Sequence, residues 1–225
     1  MNQLLSVFTT LLSSIKEYGV MNTLKAFMLM IMFSFVVRVM INPNFLFDSY
    51  SQWVQQTHKK EMCLREKNDL EINKRMPVLL YKYHADRVFV VQYHNGVSDW
   101  RYGSMRFEEH MPEVEPVKYD HSNIHLSWLK LPNYLKQHTL FIGTVEEFKD
   151  VDRTLYDMFK PKGTQYIATV NLTDSYGHSV GIFGVAWNKE INLNELRGKI
   201  EQYMYEDRGI IQTYTQPQII NPKIR

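Results

Sequence analysis

An uncharged apolar run sets the first limit on this chain. Ala26 to Val37 reads AFMLMIMFSFVV, with Ser34 as its one polar residue. Carried through Arg38 to Ile41 it is 16 residues long. As a helix that is about 24 Å, against a hydrocarbon core of about 30 Å. Extension back toward Gly19 supplies the missing length but takes in Lys25. Lys25 and Arg38 stand near the two ends, where long cationic side chains reach headgroups. Asn42 and Pro43 stop the helix, and Phe45, Phe47, Tyr50 and Trp53 follow as an interfacial aromatic belt. Three other readings compete: a buried core helix, a signal-peptide segment and an interfacial helix. The flank Val-Val-Arg-Val-Met has no small-x-small cleavage site. Residues 26–37 present no polar face for lying in the interface. The expectation is one uncleaved transmembrane helix over residues 25–41.

Charge divides the chain at the same place. Residues 1–41 hold Lys16, Lys25 and Arg38 against Glu17, and five of the 12 methionines fall within residues 21–40. The remaining residues carry 23 basic and 23 acidic side chains, so the formal net charge of +2 belongs to the N-terminal part. Bulk attraction to nucleic acid is not expected. An apolar content of 44% with 10 Gly and 8 Pro excludes disorder and collagen-like repeats. Ahead of the run, Leu4, Phe8, Leu11, Ile15 and Tyr18 recur at helical spacing, widened by Leu5 and Leu12. Residues 1–24 are expected to form an amphipathic helix. It either lies passively on the membrane or self-associates. The partners expected on this reading are membrane lipids and further copies of the chain. Lys16 and Lys25 precede the span, which favours a cytoplasmic N-terminus and a C-terminal domain outside.

Residues 42–75 are polar, helix-compatible and of mixed charge. Lys60, Glu61, Arg65, Glu66, Asp69 and Lys74 stand at pairing distances along a helix. They read as a stalk helix without a sustained heptad. Arg87 to Gly96 is a β-branched and aromatic run closed by Asn-Gly. A weaker strand is expected at 103–108, a loop at 111–120 and helical turns at 126–137 broken at Pro132. A short strand at 139–142 and one helix over 146–159 follow. Residues 164–189 read as a hairpin with its turn at Asp174–Gly177, and Val170, Ile182 and Trp187 are expected on one buried face. An amphipathic helix over 193–205 and a frayed tail complete the chain. The fold class is α+β, an antiparallel sheet with flanking helices over 76–210, followed by a tail over 211–225. The strand pair YIATVNLTDSYGHSVGIFGVAW resembles the last strands of the GAF/PAS-like superfold, and the likeness spans about 76–205. The Asn-Lys-Phe-Asp-Glu set of cyclic-nucleotide-binding GAF domains has no counterpart here.

Motifs for catalysis are missing. There is no phosphate loop, dinucleotide turn, His-Glu-x-x-His or Gly-x-Ser-x-Gly. Asp120-His121-x-x-x-His125 could set two imidazoles on one helical face, but a metal needs three or four convergent ligands. His94 reads as a turn residue, and His178 as a turn partner of Asp174. Cys63, the one cysteine, sits among Lys59, Lys60 and Arg65. A passive thiol is expected there, with an activated thiol or an intermolecular disulfide as the other reading. No enzyme activity, cofactor or metal is expected.

The anchor Ala26–Ile41, the strand Arg87–His94 and the hairpin with its helix, Tyr166–Tyr205, together resemble the T-even-type phage holins. That resemblance implies a protein that oligomerises in the host inner membrane and forms lesions releasing an endolysin. It also implies a periplasmic domain that an antiholin restrains. Family members of the best-studied type keep a periplasmic cysteine pair, which this chain lacks. Leu4, Phe8, Leu11, Ile15, Ser34 and Arg38 are the candidate membrane and oligomerisation residues. The rival reading is a membrane-tethered GAF/PAS-like sensory or partner-binding module, taking a small ligand between sheet and helices.

Overall fold

A computed structural model describes residue 13, residues 15–94 and residues 101–215. The stripe Leu4, Phe8 and Leu11, the Asn-Gly turn after His94 and the last ten residues lie outside the described residues. The chain divides into two compact units, residues 1–60 and 61–225.

Helix α1 runs from Val20 to Ile41, 22 residues. That is about 33 Å, enough to match a hydrocarbon core. It is long and apolar enough to cross a membrane, and its residues are exposed or half-exposed. Gly19 separates it from the helical residues 15–18 with φ +80°, a left-handed conformation that favours glycine. Asn42 ends α1, its N–H donating to the carbonyl of Arg38 at 2.9 Å. Helix α2 covers Phe45–Lys82 and passes through Pro77. A proline inside a helix removes one ladder bond. Ile72, Met76, Leu79 and Leu80 are buried around it, and their packing holds the last turns helical.

The second unit is built on a six-stranded sheet in the order β3-β2-β1-β6-β5-β4, antiparallel throughout. The strands are β1 Arg87–His94, β2 Tyr102–His110, β3 Ile124–His125, β4 Leu140–Thr144, β5 Tyr166–Thr173 and β6 Ser179–Trp187. The first and last strands pair at the centre, so the fold closes only when the C-terminal hairpin arrives. The fold is α+β, an antiparallel sheet with flanking helices, as the strand pattern suggested.

Both sheet faces are covered. One, the helix face, packs Val88, Val90, Val170, Phe183 and Trp187 beneath the end of α2 and beneath helix α6, Leu193–Thr215. The other, the loop face, packs Phe89, Val91, Ile167 and Ile182 beneath three short helices and an irregular segment. These helices are α3 Leu131–His138, α4 Val145–Val151 and α5 Arg153–Phe159. Double coverage corrects one expectation. Val170 and Trp187 are buried on the helix face, but Ile182 is buried on the loop face. With apolar cover on both sides, alternation no longer marks a single inner face.

Other expectations shift for local reasons. The helix expected over 146–159 breaks at Asp152, whose extended backbone (φ −149°) and carboxylate start α5 anew. Pro132 sits in the first turn of α3, where no N–H is needed, so it opens that helix instead of breaking it. Helix α6 continues to Thr215 because Ile211 and Thr215 are buried, so the fraying expected from Gln212 does not begin there. Strand β2 bulges opposite Val90/Val91. Its extra residue is Arg106, which therefore points with Phe107 toward the helix face.

Candidate functional site

The loop face concentrates the buried polar groups of the molecule. Arg87 opens β1 and is fully buried. Its Nε lies 2.8 Å from Oε1 of Glu108, on the neighbouring strand. Its remaining amines donate to Thr164 Oγ1 at 3.3 Å and to the Glu115 carbonyl at 2.5 Å. Glu108 in turn accepts from the backbone N–H of Val117 at 2.9 Å and of Lys118 at 2.8 Å. One buried ion pair thus fastens the irregular segment 111–123 to the sheet. Burial pulls the Arg87 pKa down, and Glu108 opposes that pull. Lys162 adds an outer clasp, pairing with Glu115 and, at 3.3 Å, with Asp120.

His121 sits inside this segment with 1% of its surface exposed. Its backbone carbonyl accepts from Met105 N–H at 2.8 Å, which extends the pairing of β2. Neither ring nitrogen has a hydrogen-bond partner among the described residues. Burial lowers its pKa from 6.5 to about 4, so the ring is neutral at physiological pH. Asp152 accepts from Lys130 N–H at 2.7 Å, Leu131 N–H at 2.8 Å and Leu155 N–H at 3.1 Å. It therefore serves the starts of α3 and α5 together. Burial raises its pKa against the pull of those backbone donors.

The space between sheet and cover is filled by rings. A Cβ on Gly184 would stand 2.1 Å from Phe89 Cζ, so the Phe89 ring lies on the bare glycine backbone. Phe89 and Phe159 are 5.0 Å apart, and Phe141 and Phe148 are 5.2 Å apart, centroid to centroid. No group of three His, Cys, Asp or Glu side chains converges among the described residues.

His121 and His125 do not share a helical face. His121 is buried in the loop, and His125 is a half-exposed residue of β3. His94 is likewise a strand residue. Across one rung of three strands, His94 stacks with Tyr102 at 6.2 Å and Tyr102 meets His125 edge-on at 5.3 Å. His178 and Asp174 do meet across the hairpin turn, at 3.1 Å. Cys63 is exposed on α2. Ser34 and Arg38 lie on α1, and Ile15 lies in the helical stretch before Gly19. Sequence reading missed Arg87, Glu108 and Asp152 as site residues, and singled out His121 only for its spacing to His125. A charged residue opening the apolar run RVFVV was the one available signal, since an arginine on a central strand needs a buried partner.

Neither a protein-family model nor a curated protein matches the sequence. Solved structures give distant likenesses. The GAF domain region of a protein from Geobacter sulfurreducens PCA is 10% identical, covers 71% of this chain and 98% of its own, and has a TM-score of 0.49. A far-red cyanobacteriochrome photoreceptor is 10% identical over 75% of this chain and 94% of its own, with a TM-score of 0.48. A type II free methionine-R-sulfoxide reductase from Thermoplasma acidophilum is 13% identical over 68% and 94%, also with a TM-score of 0.48. At these identities and scores the likenesses transfer no ligand, chromophore or reaction to this chain.

Proposed function

We propose that the chain is a membrane-tethered GAF/PAS-like sensory or partner-binding module. The observation that carries this reading is the pairing of an exposed 22-residue apolar helix, α1, with a compact sheet unit in the same chain. An apolar helix of that length needs lipid or protein around it. The ring-filled loop face favours a macromolecular partner over a small ligand held between sheet and cover. Lys16 and Lys25 before the span orient the N-terminus to the cytoplasm and the sheet unit outside. Carbonate-washed membranes should retain the full chain, and protease added to spheroplasts should digest the sheet unit. Protection of the sheet unit reverses the orientation, and release by carbonate removes the tether.

A holin-like role is the second reading. It draws on Ser34 and Arg38 within α1, since polar groups in a span are relieved by neighbouring helices or water. The same cells decide between the two. Sustained membrane potential after induction supports the tethered module, and abrupt collapse supports the holin-like role.

A further inference from the structure

Helix α2 opens with one apolar side. Phe47 is 75% and Tyr50 65% exposed, and Trp53 and Val54 are exposed beside them. At about 100° per residue these four side chains fall within about 120° of the helix circumference. The Tyr50 and Trp53 rings stand 6.1 Å apart, centroid to centroid. Asp48, Ser51, Gln52 and Gln55, all exposed, occupy the opposite side. The arc carries no charged residue and runs about 10 Å along the axis. His58, Lys59, Lys60 and Glu61 then bring ionisable groups to every side and end it, Glu61 falling about 20° from its centre line. Large rings on one side of an otherwise polar helix mark a contact surface.

The chain itself brings the occupant to this arc. Helix α1 ends at Ile41 and α2 begins at Phe45. The corner between them is folded: Asn42 Oδ1 accepts from the Asn44 N–H at 3.2 Å, and the Asn44 carbonyl accepts from the Asp48 N–H at 2.7 Å. Four Cα steps reach about 14 Å at most. With α1 in the bilayer, a step that rests on the tethering proposed above, the arc starts at the headgroup layer. Tyr and Trp favour that layer, where the ring meets acyl chains and the polar tip meets water. A helix with one such side buries all of it only by lying along the surface. Standing upright, it would bury Phe47 and leave Val54 in water. We infer that the first three turns of α2 lie along the bilayer surface, with Phe47, Tyr50, Trp53 and Val54 at the headgroup–acyl boundary. The module is then held by a span and by an interfacial foot. The side opposite the arc is neutral apart from Asp48, so the foot needs no anionic lipid.

Cys63 is the one thiol of the chain, so a Cys63→Ser background accepts single labels. Phe47→Cys, Tyr50→Cys and Val54→Cys place a fluorophore on the arc, and Ser51→Cys, Gln52→Cys and Gln55→Cys place it opposite. Each labelled full chain is reconstituted in phosphatidylcholine vesicles whose lipid carries a nitroxide high on the acyl chain. The three arc labels should lose emission to the nitroxide and resist aqueous iodide, and the three opposite labels should do the reverse. Quenching that ignores the side of the helix and decays steadily from residue 47 to residue 55 means an upright helix and overturns the foot. Arc labels shielded from both quenchers mean that protein covers the arc, which overturns it as well. Ile31→Cys, labelled in the same way and read with a nitroxide near the acyl-chain end, separates the foot from the tether. A quenched Ile31 label beside α2 labels without sidedness sinks the foot alone. An unquenched Ile31 label sinks the tether and the foot with it.

Discussion

The two faces of the sheet are held down by different chemistry. The helix face lies under two long helices, whose buried residues recur at helical spacing. Its main polar contact is the clasp of Asp207, which accepts from Lys82 at 2.9 Å and from the Tyr83 hydroxyl at 2.8 Å. The loop face lies under helices of 8, 7 and 7 residues and an irregular segment. Helices that short are unstable alone, because nucleation costs more than a few bonds return. They need caps and anchors: on this face Glu108, Asp152 and the Arg87 guanidinium are buried, and the cap of α4 at Thr144 stands at the exposed edge. The length of the covering element therefore decides how much polar chemistry a sheet face must bury.

Removing the central anchor should produce the largest effect. Glu108→Ala strands the Arg87 charge and frees the Val117 and Lys118 amides, a loss of about 3–5 kcal/mol. Urea unfolding of residues 61–225 measures it. Arg87→Met combined with Glu108→Leu should be more stable than Glu108→Ala, because no buried charge is left alone. On the helix face, Trp187→Ala should cost a similar ~3–5 kcal/mol through an unfilled cavity and the lost bond to the Tyr83 carbonyl. No second charge change should rescue it. A double variant no better than Glu108→Ala would locate the cost in the freed amides and not in the stranded charge.

Legibility followed the same division. The hairpin was readable because its pattern is local. Asp174 accepts from Tyr176 N–H at 2.9 Å and His178 N–H at 2.8 Å, and Gly177 takes φ +83°. Helix α6 and the span-length α1 were readable because apolar spacing and run length are also local. The Arg87–Glu108 pair was hidden, since its register depends on the bulge at Arg106. Burial of His121 depends on where residues 111–123 are tied, which those residues do not encode by themselves. Ile182 was placed with Val170 and Trp187 because one-sided burial was assumed, and α4 and α5 were merged because both carry helical composition across Asp152.

His121 sharpens the comparison through pH. The unfolded imidazole takes its proton near 6.5 and the folded one near about 4. Between those values the unfolded chain binds more protons, so stability falls as pH falls. The contribution is complete above about pH 6.5 and lost on passing through about pH 4, about 3 kcal/mol in all. Unfolding of residues 61–225 at pH 7.5 and pH 4.5 should show the drop, and His121→Leu should make it smaller. The two variants losing stability in parallel would mean that carboxylates on both faces, and not this ring, carry the acid sensitivity.

The smallest effects should come from the caps, and they should not be equal. Thr144 accepts from Glu147 N–H at 3.2 Å, and Glu147 returns the bond to Thr144 N–H at 2.7 Å. This capping box stands at the exposed edge, where water can replace the lost partner. Thr144→Ala should therefore cost about 1 kcal/mol. Asp152 caps in a site where water cannot enter, and it holds two helix starts at once. Asp152→Ala leaves the N–H groups of Lys130, Leu131 and Leu155 without their acceptor, and should cost about 2–3 kcal/mol. Asp152→Asn keeps a carbonyl oxygen at the site and should recover part of that loss. Equal losses at Thr144 and Asp152 would mean that the short helices of the loop face are held by apolar packing alone. The contrast between the two faces would then reduce to helix length.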